Sequence, residues 1–553
     1  MADVNLNITD LLQVNSGSTF SALEGAAVTA ASLTLGTGGA GDGTMIVDGA
    51  GSSLMVNTST ALGTAGAIGT LTFQNGSTGN KLSGTVDLMA GSGDTGSTGR
   101  LNVLGGSTLQ TGTINVGQSS AATNVQAGTL TVDGVGSTLT QTGASTLTVG
   151  DDINPNVVSD VILSNSGVMS SGTGAILIQN SGHLNIDSTS TFNANGTVTV
   201  DSGTITRGNN STSFNLASGL TLTAMNNTQI DFTGSYEIDL GTTFDIQSGA
   251  DLSAFILDIG TTSGDGTLVV DGAGSSVTMT GDSYWGDGGN TANATFRNGA
   301  TGNLDSIDLA RSPAAGTTGV FDIESGATVT TDTLRVASNG GATTSGTITV
   351  DGGTTSLTQN GASLLIVGNA TNGTATINVQ NGGTFTSGTR LSTINTTGTL
   401  NVNTAGTFNA LGDINLDGTL NVQNGGAVSS IDGIIGFIPG STGTVTVAGA
   451  GSTWTNSSDL FVGGDSAAGG MGSLTVQNQG LVDVAGTLKV WDTGAVTISA
   501  SDLADWKANY GMVAPLSATT AAVPEPSSLA LFSLSGLLFL CRVRRATPFT
   551  TSL

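Results

Sequence analysis

Three short motifs recur in a fixed order along most of this chain, and nothing else narrows its fold as much. The first reads VDGxGSxL, at Val47–Leu54, Val132–Leu139 and Val270–Val277, with degenerate copies at Val350–Leu357 and Val447–Trp454. The second is an apolar residue followed by Gly. It falls 15 or 17 residues after the first Val of each copy, at Leu62, Val149, Trp285, Val367 and Val462. The third is Gln-Asn-Gly or a relative, with its Asn at Asn75, Asn298, Asn381, Asn424 and Asn478.

Asn-Gly and Asp-Gly accept positive φ at low cost and so turn the chain. The LTV, INV, LNV and TITV segments around them alternate apolar and polar side chains, as half-buried strands do. Strand, Gly turn, strand, repeated, fits either antiparallel hairpins or a parallel β-solenoid. The near-constant interval and the lack of any interrupting helical pattern favour the solenoid. The expected fold class is therefore all-β: a parallel β-helix of Gly/Asn/Thr-rich repeats over residues 1–498. Small residues are expected to stack inward, and Asn to form ladders at equivalent turns. At about 20 residues per coil the body would hold on the order of 25 coils, each ~4.8 Å of rise.

Composition excludes several functions. The net charge is −27, yet only 9% of residues are charged, and no basic stripe exists, so no nucleic-acid partner is expected. The single cysteine, Cys541, lies outside the body, which rules out a disulfide framework there. The 4% of aromatics and 86 glycines would allow disorder, but the β-branched apolar alternation argues against it.

After residue 498 the texture changes. Ser499–Gly511 is the best helix: Ser499 and Asp502 have capping-box spacing, and Leu503, Trp506 and Tyr510 share a face. It is expected to cap the open end of the solenoid. A linker, 512–522, leads to Pro524-Glu525-Pro526, an apolar run from Leu529 to Cys541, the cluster Arg542, Arg544, Arg545, and a tail, 546–553. An apolar stretch beside a cationic stop targets a membrane, with the arginines on the cytoplasmic side. The run is shorter than the roughly 20 residues that span a bilayer core comfortably, which suits a transient anchor. Residues 523–545 resemble the PEP-CTERM sorting signal. The resemblance implies export, processing near the Pro-Glu-Pro triplet by an exosortase-type membrane protease, display at the cell surface or release, and association with extracellular polysaccharide. The three repeat motifs also resemble a repeat shared by PEP-CTERM proteins and type V secretion passengers. The N-terminal MADVNLNITDLLQVNSGS has no basic n-region and no apolar h-region, so a mis-assigned start or a missing first segment is expected.

Parallel β-helices also host polysaccharide lyases and hydrolases, whose sites need carboxylates with Arg or Lys on neighbouring coils, or two carboxylates at a set separation. GDSYWGDGGN holds the one aromatic-acid cluster, Asp282 and Asp287 around Tyr284 and Trp285, a candidate metal or sugar site. An Asp-decorated turn is the preferred reading, because Trp285 fills a slot of the second motif. Asp48, Asp133, Asp271 and Asp351 recur in register and would either line a calcium stripe or cap turns. Asp151-Asp152 reads as turn chemistry and His183 as a surface residue. No catalytic residue and no cofactor other than calcium is expected. The leading expectation is a non-catalytic exported surface or matrix protein; the alternatives are a glycan-cleaving β-helix enzyme and an adhesin.

Overall fold

The structure, a computed structural model, describes residues 4–38, 41–89, 96–118, 127–151, 158–210, 212–261 and 263–499. The expected helix beyond Ser499, the linker, the sorting segment, the tail and Asp152 lie outside the described residues. Among those described there are strands and turns and no helix, and they wind into a parallel β-solenoid of about 18 turns.

The strands form because apolar and polar residues alternate. Gly43–Asp48 and Ala127–Asp133 bury every second side chain. Each strand pairs in parallel with its counterpart one coil on, so inward residues stack in columns. In one column Leu101, Leu130, Val161, Leu184, Ile205 and Ile230 follow one another in register. All are at most 1% exposed, and each such burial is worth about 1.5–3 kcal/mol before chain entropy is subtracted. The core is thus built mainly of Val, Leu, Ile and Phe, with Ala and Gly at a minority of inward positions such as Ala294, Ala375 and Gly346, rather than of small residues throughout as expected. The remaining small and polar residues occupy the turns and the outer face.

The coils vary in length more than expected. Thr399 pairs with Thr419, whereas Ala127 pairs with Val158. Most coils exceed 20 residues, which is why there are fewer turns than the sequence spacing implied.

Two compact units can be distinguished. The first runs through Leu257 and includes Thr267–Val269 and Gly274–Met279; the second comprises Asp258–Gly266, Val270–Ala273 and the described residues from Thr280. In the first unit the early coils carry long strands such as Asn5–Val14 and Ala27–Leu35, with a register shift midway. Thr108–Val116 is the last of these. Its two halves pair with separate strands, Thr138–Gln141 and Leu147–Val149, and from there each coil has three strands. This unit also buries Arg207 completely, its guanidinium 4.8 Å from the Phe232 ring and 5.4 Å from the Tyr236 ring. Arg207 Nη2 donates to the Ser235 carbonyl at 2.7 Å. Burial lowers the Arg207 pKa to about 10. In the second unit Phe321, Ile348, Ile377, Leu400, Leu420 and Val445 form an equivalent inward column.

Each sequence motif has a mechanical role. The Ser of the first motif is buried and bridges two turns. Ser52 Oγ donates to the Asp48 carbonyl at 2.7 Å and accepts from the Gly25 amide of the preceding coil at 2.9 Å. Ser137 repeats this with Asp133 and Gly106, and Thr355 with Asp351 and Gly326. The Gly of the second motif lies at positive φ, +70° at Gly63, where a Cβ would also collide with the Thr98 carbonyl of the next coil. The Asn of the third motif sits at φ of 53° in Asn75 and Asn381 and reaches back to an Asp.

Ser52→Ala removes the partner of the Gly25 amide in a part-buried turn. It should destabilise the first unit by about 1–3 kcal/mol, whereas Ser52→Thr, the choice at Thr355, should cost less. Urea unfolding of both variants checks this; an unchanged midpoint for Ser52→Ala would mean the bridge contributes nothing.

Candidate functional site

The recurring acids do not form a stripe. Asp48 stands beside Gln74 of the next coil, and Leu104 beside Asp133, so Asp48 and Asp133 are separated by non-acidic coils. Each acid is instead clamped from the next coil, Asp48, Asp271 and Asp351 by the third motif and Asp133 by Ser164 and Asn165. The Asp48 carboxylate accepts from Asn75 Nδ2 at 2.7 Å and Gln74 Nε2 at 3.0 Å. Asp351 takes the same pair from Asn381 and Gln380, at 2.7 and 3.1 Å. Asp271 accepts from Asn298 Nδ2 at 2.7 Å and from Arg297, whose Nη2 lies 2.9 Å away. The amide bonds hold the Asp48 carboxyl below its ordinary range, and the Asn298 bond, aided by Arg297, does the same for Asp271. These acids cap turns and fasten coils.

The expected Asn ladder exists, but on strands rather than turns. Asn401 Nδ2 donates to Asn378 Oδ1, and Asn421 Nδ2 to Asn401 Oδ1, both at 2.9 Å. His183 sits half-buried at an outward strand position, opposite Asp160 in register and hydrogen-bonded to Thr204. Asp151 is likewise buried.

The aromatic-acid cluster separates into three parts. Trp285 points inward, is fully buried and meets Phe321 edge-on at 5.0 Å between ring centroids. Asp287 builds its own turn, accepting from the Gly288 amide at 2.6 Å. Asp282 and Tyr284 face outward. With Ser283, Ser306, Asp308, Arg311, Arg335 and Asn339 they line a hollow of about 240 Å³ in the second unit.

Tyr284, Asp308 and Arg335 are neighbours because they occupy one register position on three successive strands, Ser283–Trp285, Ile307–Leu309 and Leu334–Val336. The Arg311 guanidinium lies 4.1 Å from the Tyr284 ring centroid, and its Nε is 4.0 Å from Asp308 Oδ2. Asp308 is only 7% exposed, and among the described residues its Oδ1 has no hydrogen-bond partner. Burial raises its carboxyl from 3.8 to about 6; Arg335 and Arg311 oppose the shift, while Asp287 and Asp282 add to it. Nearby, burial and the charges of Asp332 and Asp282 raise Asp305 as well.

Sequence reading found Asp282 and Tyr284 but missed Asp308, Arg311 and Arg335. The signal was present in the strand triplets. Leu309 and Val336 occupy the Trp285 slot of the second motif, but Ala310 and Ala337 replace its Gly, at φ of 55° and 48°. The apolar-Gly pattern therefore skipped these two coils. Among the described residues, no three His, Cys, Asp or Glu side chains are grouped to hold a metal ion.

Asp308 also sets a pH dependence. Its folded pKa lies above the unfolded value, so folding takes up a proton between the two. Stability should then fall as pH rises from about 4 to about 6, by at most about 3 kcal/mol, and stay reduced above that. Asp308→Asn should remove this slope and make the second unit more stable than wild type at pH 7. Urea unfolding at pH 4.5 and pH 7 checks it; parallel pH profiles for the two proteins would sink the assignment.

The chain matches known proteins most clearly at its far end. The profile of the PEP-CTERM protein-sorting motif matches residues 522–545, which contain Pro524, Glu525, Pro526, Arg542, Arg544 and Arg545. No curated protein matches the chain. A solved structure, the crystal structure of a TibC-catalysed hyper-glycosylated TibA fragment, is similar at 16% identity, covering 68% of this chain and 93% of that one, with a TM-score of 0.27. The motif implies export, a transiently membrane-anchored state and processing by exosortase, a membrane protease. The chain thus carries a PEP-CTERM protein-sorting motif C-terminal to a parallel β-solenoid.

Proposed function

We propose that this is a non-catalytic repeat protein of the cell surface or extracellular matrix that associates with exopolysaccharide. The observation that carries the reading is the sorting motif at residues 522–545. On this reading exosortase acts near Pro524-Glu525-Pro526, and the short apolar run holds the chain only until then. The solenoid supplies a long display of hydroxyl and amide side chains. Outward positions such as Thr376, Asn378, Thr399 and Asn401 alternate with buried residues along their strands. Each would contribute little alone, but repetition raises the effective affinity for a polymer with many equivalent units.

One observation favours the glycan-cleaving alternative: Asp308, Arg311 and Arg335 stand on neighbouring coils beside Asp282. Acid-base cleavage of a polymer needs room on both sides of the bond as well as two carboxylates in distinct environments. A hollow of about 240 Å³ falls below the ~300–1,000 Å³ of ordinary ligand clefts, which fits a single ring better than a bound chain.

Deleting Pro524 to Arg545 in a host that has exosortase should abolish surface retention. Cell fractionation followed by immunoblotting reads this out, and an unchanged distribution would remove the basis for the localisation. Incubation of the purified protein with acidic and neutral polysaccharides should yield neither new reducing ends nor unsaturated products. Turnover that disappears in an Asp282→Ala, Asp308→Ala double variant would overturn the non-catalytic reading.

A further inference from the structure

Many outward polar groups on the described strands and turns satisfy one another. The motif side chains close their bonds between coils, as Asp351 with Asn381 shows, and so do strand asparagines, as Asn401 with Asn378 shows. The hollow around Asp308 breaks that rule. Asp308 lines it, and its carboxylate oxygen Oδ1 is buried with no hydrogen-bond partner among the described residues. Leaving such an acceptor unsatisfied is costly, and in a polar recess it is an invitation to a donor from outside. Arg335 stands opposite it in register, half-buried, and no hydrogen bond among the described residues engages its guanidinium.

The chemistry of the lining narrows the ligand. Arg311 and Arg335 bring two positive charges, while Asp282, Asp287 and Asp308 bring three negative ones within electrostatic reach of the same point. An anion would meet the carboxylates and a metal cation the guanidinium groups, so neither gains from the site as a whole. The lining does offer an acceptor beside a donor: Asp308 Oδ1 and Arg335. Two adjacent hydroxyls on one ring fit that arrangement, because a hydroxyl both donates and accepts. One would donate to Asp308 Oδ1, and its neighbour would accept from the guanidinium. The ring of Tyr284, already stacked with Arg311, adds an apolar wall of the kind sugar C–H groups pack on.

We propose that the hollow lined by Asp282, Tyr284, Asp308, Arg311 and Arg335 binds one neutral sugar residue through a vicinal pair of hydroxyls. It deepens the polysaccharide reading, on which it rests for the source of the sugar, by placing a stereoselective contact within an otherwise weak and repetitive surface.

The test is calorimetric titration of the purified full chain in mild detergent with methyl α-glucoside, methyl α-mannoside, methyl α-galactoside and glucuronate. At least one neutral glycoside should bind saturably, and glucuronate should bind at least tenfold more weakly. Asp308→Asn and Arg335→Gln should each weaken that binding tenfold or more while retaining the wild-type circular dichroism spectrum. Absence of saturable binding by every neutral glycoside, tighter binding of glucuronate, or unchanged affinity in both folded variants would overturn the proposal. The titration uses purified protein and does not depend on sorting. A failed surface-retention test therefore counts against the localisation alone, and a failed titration against this site alone.

Discussion

At several points along the solenoid, one coil is fixed to the one before it by a backbone amide that meets a buried hydroxyl. Gly25 donates to Ser52, Gly106 to Ser137, Gly326 to Thr355 and Gly425 to Ser452. The apolar columns supply most of the driving force, but a column of Leu, Val and Ile has no preferred register along the strand beyond its period of two. The hydroxyl bridge is directional and falls at one corner of the coil. It sets which residue of one coil faces which of the next, and the Asp–Asn clamp beside it repeats the instruction from the outer side. Both require turns that can approach closely, which is why Gly at positive φ recurs at Gly51, Gly136 and Gly451. With one corner fixed, the others can vary. A coil as short as that from Thr399 to Thr419 and one as long as that from Ala127 to Val158 both keep parallel register.

This division of labour explains what the sequence disclosed. The solenoid was legible because bridge, clamp and turn each demand a specific residue type: Ser or Thr, Asp with Asn, and Gly. Coil length was not, because the motifs mark some coils and leave others unmarked. Coils in which the clamp is replaced, as where Glu324 stands beside Asp351, carry no recognisable copy. The make-up of the interior was misjudged for a related reason. Counting residues weights the small ones, but many of them belong to turns and outward positions. Alternation within each strand, read position by position, already assigned Leu101, Leu130 and Val161 to the inside.

The candidate site was half legible for a different physical reason. A repeat is recognised by what stays constant, and a site arises where outward positions depart from the constant pattern. Tyr284 was visible beside an intact Trp285-Gly286. Asp308 and Arg335 occupy the same outward slot, but Ala310 and Ala337 accept the left-handed conformation that Gly accepts elsewhere, at a cost of order 1 kcal/mol or more each. That strain is tolerated where the ladder on both sides already determines the backbone. Three-dimensional register, not spacing along the chain, brings the phenol, the carboxyl and the guanidinium together.

The contrast between the regular surface and this recess bears on how such a protein would select what it touches. Ladders such as Asn378, Asn401 and Asn421 donate and accept among themselves. A polymer laid across them exchanges one satisfied bond for another, so the net gain per contact is small and nearly independent of its stereochemistry. Repetition then provides avidity without selectivity. Asp308 is different, since its free oxygen gains a bond it does not have, and only a donor at the right height and angle can supply it. Within the function proposed here, avidity would reside in the repeat and selectivity in the two coils where the repeat is broken.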